Sequence, residues 1–312
     1  MPAHHHHLVV GGGPVGRHVA SILIERGERV VIGSRSGRNT GVQGATYIPL
    51  DAADAEALTR AADGAGGLFS TANPGNYTVW EKQWPPMATA LLTAAERTGA
   101  AYAMTGNLYP YGPVDGPMRE GMPDAARDHK GVLRARIWAD ALAAHRAGRI
   151  RAFEVRGSDY VGGGEGHVSR VLPAALGGRS VRMLGRVDEP HTWTDVQDVA
   201  RLLVAAFDDP GAHGRVWHVP SNPPRTQSGI INELLDAAGR PRVGVKGTSP
   251  ALLKTLGVVS PLLREVSQLS YQLTRPYILD ASAAEQRFGT APTDWADVLR
   301  RTLRAAGTEA KP

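Results

Sequence analysis

The chain carries Leu8-Val9-Val10 followed directly by Gly11-Gly12-Gly13-Pro14-Val15-Gly16 and then Arg17-His18-Val19-Ala20. An apolar strand therefore runs into G-x-G-x-x-G and on into a helix-forming segment, an order that few folds accommodate. Each glycine acquires its own task in that context. Gly11 permits a tight turn, Gly13 lets a pyrophosphate approach the backbone, and Gly16 lets the helix pack closely on the strand. Pro14 and Val15 begin the helix, whose free N–H groups and positive end attract an anion. The motif predicts a strand-turn-helix unit that binds a dinucleotide.

The rest of the first half keeps the same rhythm. Short β-rich runs at 7–11, 29–33, 46–50, 67–71, 101–105 and 151–156 alternate with helical stretches near 14–26, 54–62, 84–98 and 130–147. That alternation predicts an α/β fold with a Rossmann doubly wound parallel sheet. Leu133, Ile137, Trp138, Ala141 and Leu142 form one apolar stripe at helical spacing. After Val155 the rhythm loosens. Gly162 to Gly164 reads as a turn, Asp195 to Ala200 opens a helix reaching about Phe207, and Val216 to Val219 reads as a further strand. From about residue 222 the chain is mainly helical, with Leu262, Val266, Leu269 and Leu273 spaced as one buried face. The expected division is a dinucleotide-binding core of 1–160 plus 192–220 and a smaller, mainly helical substrate-binding lobe of 161–191 plus 221–312.

Composition removes several function classes. The 35 Lys+Arg against 30 Asp+Glu give a formal charge of +5, but the basic residues are scattered and not interleaved with aromatics. That pattern argues against nucleic acid, and a phosphate-bearing cofactor accounts for the surplus. The absence of cysteine excludes disulfides, thiolate metal sites and cysteine nucleophiles, and no metal is expected. No apolar run reaches the roughly 18 residues of a membrane span, so a cytoplasmic protein without a membrane partner is expected. His4 to His7 reads as a solvated end or a purification remnant. The oligomeric state is left open.

The second strand indicates which dinucleotide. A carboxylate at its end would hold the adenosine ribose diol of NAD. Here Arg29 to Gly33 ends in Ser34-Arg35-Ser36-Gly37-Arg38, with no carboxylate. Two guanidinium groups, Arg35 and Arg38, and two hydroxyls, Ser34 and Ser36, suit a 2′-phosphate, so NADPH/NADP+ is expected. Asp51 either accepts from the adenine amine or caps the helix near Ala53.

The chain resembles the extended and atypical short-chain dehydrogenase/reductases, the group containing NAD-dependent epimerases and dehydratases. The likeness rests on Gly11 to Gly16, Asn107-Leu108-Tyr109-Pro110-Tyr111-Gly112-Pro113, Lys130, Arg156 to Gly162, and Asp195 to Ala200. It implies hydride transfer between a nicotinamide and a carbonyl or alcohol carbon, with a Ser-Tyr-Lys set managing the oxygen. Lys130 matches the lysine, and the resemblance gives it the nicotinamide ribose. The tyrosine position of Y-x-x-x-K is Ala126, however, and the serine position is Asn107. The replacement donors are Tyr109 and Tyr111, on the loop after the fifth strand, with Thr105 and Asn107 able to hydrogen-bond a carbonyl oxygen. Asp128 and His129, which adjoin Lys130, are either further replacement donors or caps of its helix. Asn73 and Tyr160 are expected beside the cofactor. Tyr77, Trp80, Trp84, Tyr160 and Trp193 either line an apolar, ring-accepting pocket or stabilise the junction of the two lobes. The expected function is an NADPH-dependent ketoreductase acting on a small-molecule ketone, a bulky aromatic or polycyclic biosynthetic intermediate. The alternatives are an NAD-dependent nucleotide-sugar epimerase or dehydratase and an NADP-binding regulator without turnover.

Overall fold

The computed structural model describes residues 6–249 and 260–307, together with Thr255 and Val258. The described chain divides into two compact units. The first comprises Met1–Pro110, His129–Arg156 and Val199–Trp217, and the second comprises Tyr111–Asp128, Gly157–Asp198 and His218–Pro312.

A seven-stranded sheet organises the first unit. Its strands are β1 (His6–Val10), β2 (Val30–Ser34), β3 (Thr46–Pro49), β4 (Ala65–Ser70), β5 (Ala101–Asn107), β6 (Ala152–Gly157) and β10 (Val216–His218), in the order β10-β6-β5-β4-β1-β2-β3. The pairs β3–β2, β2–β1, β1–β4 and β4–β5 are parallel. Chain order reverses direction between β1 and β4, and the carboxyl ends of those two strands are where a doubly wound sheet binds ligands.

Helix α1 (Pro14–Glu25) follows β1, with Gly13 as its N-cap and Pro14 at its first position. Its buried Val15, Gly16, Val19, Ala20 and Leu23 recur at helical spacing and cover the sheet. Helix α2 is Ala55–Ala61. Helix α3 (Trp80–Thr98) starts before the expected residue 84 and holds Pro85 and Pro86 inside. The chain is already helical at Trp80, because Trp80 and Trp84, one turn apart, are both buried and in edge-to-face contact at 6.1 Å. Helix α4 is His129–Arg146 and α6 is Val196–Asp208.

The second unit is less uniformly helical than expected. Two small parallel sheets, β7 (Asp159–Val161) with β9 (Trp193–Asp195) and β8 (Val181–Leu184) with β11 (Val245–Thr248), accompany α5 (Gly166–Leu176), α7 (Gln227–Ala237), α8 (Pro261–Gln268), α9 (Ser282–Phe288) and α10 (Trp295–Ala305). Leu172, Trp193, Ile230, Leu234, Val298 and Leu303 form its core. Residues 111–128, 157–160, 192–198 and 218–220 belong here rather than to the first unit. For 157–160 and 192–198 the physical reason is pairing, since β7 and β9 bond to each other and not to the large sheet, and for 111–128 it is Met118, whose backbone bonds to Ile278 and Asp280. Leu269 and Leu273 are buried as expected and Val266 is half-buried, while the side chain of Leu262 lies outside the described residues.

The histidine run is not a solvated remnant throughout. His6 and His7 open β1, and His4 and His5 lie outside the described residues. His7 is buried, bonded to the Glu28 carboxylate, and in edge contact with Phe69 and Phe207.

Candidate active site

The turn after β1 has the geometry its glycines foretold. Gly11 has φ +115°, and a Cβ there would lie 2.6 Å from the Ala72 nitrogen. At Gly16 a Cβ would lie 2.0 Å from the Gly11 carbonyl oxygen and 2.6 Å from Thr71 Oγ1. Around Gly13, by contrast, a Cβ would meet nothing within 4 Å. The loop is thus closed to protein at Gly11 and Gly16 and open at Gly13. Helix α1 has no acidic residue in its first turn, so its N–H groups face that space with their positive end uncompensated. These features fit a dinucleotide pyrophosphate. Thr71, which local sequence did not single out, anchors the loop by donating to the carbonyl oxygens of Val10 (3.1 Å) and Gly11 (3.0 Å). Its only signal in the sequence is its place immediately after β4.

At the end of β2, Ser34 is half-buried and Arg35 and Arg38 are exposed. Neither arginine is paired with a carboxylate among the described residues. Thr40 Oγ1, on the same loop, is buried without a partner. Asp51 takes the Ala53 N–H in a local turn (3.0 Å), whereas the cap of α2 is Asp54, which accepts from the Ala57 nitrogen. Asn73 is exposed just beyond β4.

The carboxyl ends of β4 and β5 bring three of the expected residues together. Tyr77, in the short turn Tyr77–Val79 after β4, and Tyr109, in the turn Tyr109–Tyr111 after β5, have hydroxyl oxygens 2.6 Å apart. The Lys130 ammonium, on the first turn of α4 and buried, lies 5.5 Å from the centre of the Tyr77 ring. Trp80 packs on both phenols, at 5.0 Å from Tyr77 and 6.1 Å from Tyr109. Thr105 Oγ1 is buried without a partner. Asn107 accepts the Tyr109 N–H through Oδ1 at 3.2 Å, which holds the turn. His129 is exposed and pairs with Glu81 at 2.9 Å.

Beneath these residues lies a charged cluster that the sequence reading missed. Arg134, one turn after Lys130 on α4, donates to the Thr105 carbonyl oxygen at 2.8 Å, stands 3.5 Å from Glu154, and lies over the Trp84 ring at 4.4 Å. Glu154 also accepts from Arg156 Nε at 2.8 Å. All three charged side chains are buried, so they survive only by pairing. Glu154 Oε1 comes so near β5 that a Cβ at Gly106 would lie 2.4 Å from it.

Other expected residues are used differently. Trp80 and Trp193 are buried rather than lining a surface, and the Trp193 indole donates to the Arg225 carbonyl oxygen at 3.0 Å. Such large rings have more apolar area to bury than a wall would cover. Tyr111, in the second unit, is buried with its hydroxyl 2.7 Å from His218 Nε2. His218 Nδ1 lies 2.8 Å from the Asp280 carbonyl oxygen. A neutral His218 donating there accepts at Nε2, which commits the Tyr111 proton. Tyr160 is half-buried in the second unit beside Gly157. Ala126 is off the helix: α4 begins at His129, so the Y-x-x-x-K spacing does not place positions 126 and 130 on one helical face. In the same unit as Tyr160, Asp159 faces His191 at 3.0 Å. Burial raises its carboxyl, but the His191 hydrogen bond and the charges of His167 and His191 prevail and hold it at about 2.

Residues 7–219 match the family model described as the NAD dependent epimerase/dehydratase family. The chain belongs to that family. Membership makes it a nicotinamide-dinucleotide-dependent oxidoreductase. It is similar to a 2-alkyl-3-oxoalkanoate reductase of Stenotrophomonas maltophilia (strain K279a), 26% identical over 95% of this chain and 97% of the relative. In fold it is similar to a dTDP-glucose 4,6-dehydratase of Streptomyces venezuelae, solved with NAD bound (20% identity, TM-score 0.78, covering 96% of this chain and 95% of that one). It is similar too to a UDP-glucose 4-epimerase of Thermotoga maritima, solved with UDP-glucose (17% identity, TM-score 0.78, covering 96% and 97%). Among the described residues no helix is long and apolar enough to cross a membrane.

Proposed function

We propose that the protein is an NADPH-dependent ketoreductase whose substrate is a bulky ketone. The observation that carries this is the end of β2, where Ser34 is followed by two exposed arginines without carboxylate partners in the place of the ribose-binding acid. In such a site the loop of Gly11, Gly13 and Gly16 with the α1 N-terminus would hold the pyrophosphate, and Arg35 and Arg38 the 2′-phosphate. Lys130 would hold the nicotinamide ribose. When bound, the dinucleotide supplies a hydride. The chain's part is to orient the carbonyl and to supply a proton, through Thr105 and Asn107 as hydrogen-bond donors and a phenol at the ends of β4 and β5.

Two substrate classes compete, and the burial of Trp80 and Trp193 weighs against a polycyclic aromatic ketone, because the rings expected to receive it are packed away. The relative's name supports a 3-oxo acid with an alkyl branch. The test is NADPH oxidation with a 2-alkyl-3-oxoalkanoate, a polycyclic aromatic ketone and a nucleotide-sugar, repeated with NADH. Turnover of the oxo acid with NADPH ahead of NADH is expected. NAD retained through purification, with epimerisation and no net NADPH consumption, would replace this reading with the epimerase one.

A further inference from the structure

We propose that Tyr77 and Tyr109 act as one proton-donating pair, Tyr77 meeting the carbonyl oxygen and Tyr109 resupplying it. This rests on the ketoreductase reading above. The two residues are 32 positions apart, yet each stands just past one of two adjacent parallel strands, where Ser70 of β4 pairs with Met104 of β5. Their 2.6 Å separation is at the short end for an O–H···O hydrogen bond, so a proton passes between them without rearrangement. Tyr109 is 8% exposed whereas Tyr77 is half-buried, which makes Tyr77 the phenol that a ligand reaches.

Lys130 completes the device. Lys130 is 2% exposed, and its ammonium sits over the Tyr77 ring at 5.5 Å from the ring centre. In such a desolvated place its charge stabilises the phenolate left when the proton departs. The step balances. The carbonyl carbon takes its hydride from the reduced dinucleotide, the C=O π bond breaks, and the oxygen takes the Tyr77 proton. The Tyr109 proton then moves across the shared hydrogen bond to Tyr77, and water returns one to Tyr109. The pair thereby replaces the phenol that Ala126 lacks.

The experiment is kcat and its pH profile for Y77F, Y109F and the double variant, alongside NADP+ binding and thermal midpoint. Y77F is expected to lose about 10²- to 10⁴-fold in kcat with NADP+ binding retained. Y109F should lose less, and the double variant no more than Y77F alone, since the two act as a unit. Independently of turnover, ultraviolet titration of the free protein should show phenol ionisation moving to higher pH in Lys130→Met, and no such movement in the Y77F background. Y77F with kcat within about threefold of wild type and an unchanged pH profile overturns the pair and leaves the reductase reading standing. A wild type that binds NADPH and reduces no ketone overturns both.

Discussion

Gly13 and Gly16 belong to one motif but do different work, and alanine at each separates folding from binding. At Gly16 a Cβ would stand 2.0 Å from a backbone oxygen and 2.6 Å from Thr71 Oγ1, so α1 must lift off β1. Overpacking of this kind costs about 1–3 kcal/mol, and the upper end applies because a carbonyl cannot swing aside. For domains of this size that lowers the thermal midpoint by about 6–12 °C. At Gly13 the backbone is extended (φ −73°, ψ −176°) and the Cβ position is open. Alanine there gains by restricting the unfolded chain and loses as a poorer N-cap, leaving stability within about 1 kcal/mol of wild type. A pyrophosphate seated on the loop needs that open space. Gly13→Ala should therefore weaken NADP+ binding at least tenfold, or about 1.4 kcal/mol. Scanning calorimetry and titration calorimetry on both variants decide the matter. Unaltered NADP+ affinity in Gly13→Ala, or an unchanged midpoint in Gly16→Ala, would refute the division of labour.

Three further outcomes follow from the same geometry. Arg35→Ala combined with Arg38→Ala should weaken NADPH by about tenfold or more, the worth of a lost charge-assisted hydrogen bond, while NADH affinity stays unchanged in fluorescence titration. Arg134→Leu removes the bond to the Thr105 carbonyl, an ion pair and the contact with Trp84, and should cost about 3–5 kcal/mol in urea denaturation. It should also lower kcat, because Lys130 and the end of β5 lose their common tie. Asp159 is held at about 2 against an ordinary 3.8, so its carboxylate stabilises the folded state fully above pH 3.8. That contribution, about 2 kcal/mol, disappears as pH falls toward about 2. Asp159→Asn should flatten the acid limb of the stability–pH curve, and an acid limb identical to wild type would count against the assignment.

The first strand, its glycine turn and α1 were legible in the sequence because each depends on residues adjacent in the chain. Gly11 must adopt φ +115°, Gly16 must lack a side chain, and both demands show in the residue type itself. The lack of a carboxylate after Ser34 is equally local. Less was legible where a residue serves two purposes. Trp80, Trp193 and Tyr111 carry rings that suit a pocket and a core equally, and only their burial assigns them to the interior. Glu154 and Arg156, two apart on β6, did leave a signal: charges alternating on a strand covered by protein must be paired inside.

By itself, then, the sequence determined a doubly wound dinucleotide fold, since turns, caps and periodicity act over a few residues, and Ala126 departs from the tyrosine that the family resemblance implies there. Only the tertiary structure decided what stands near Lys130. Tyr77 and Tyr109 meet because β4 and β5 lie side by side in the sheet, and Arg134 joins Glu154 because α4 packs there. Contacts of that kind are set by how strands pair and helices pack across the fold, and no window along the chain contains them.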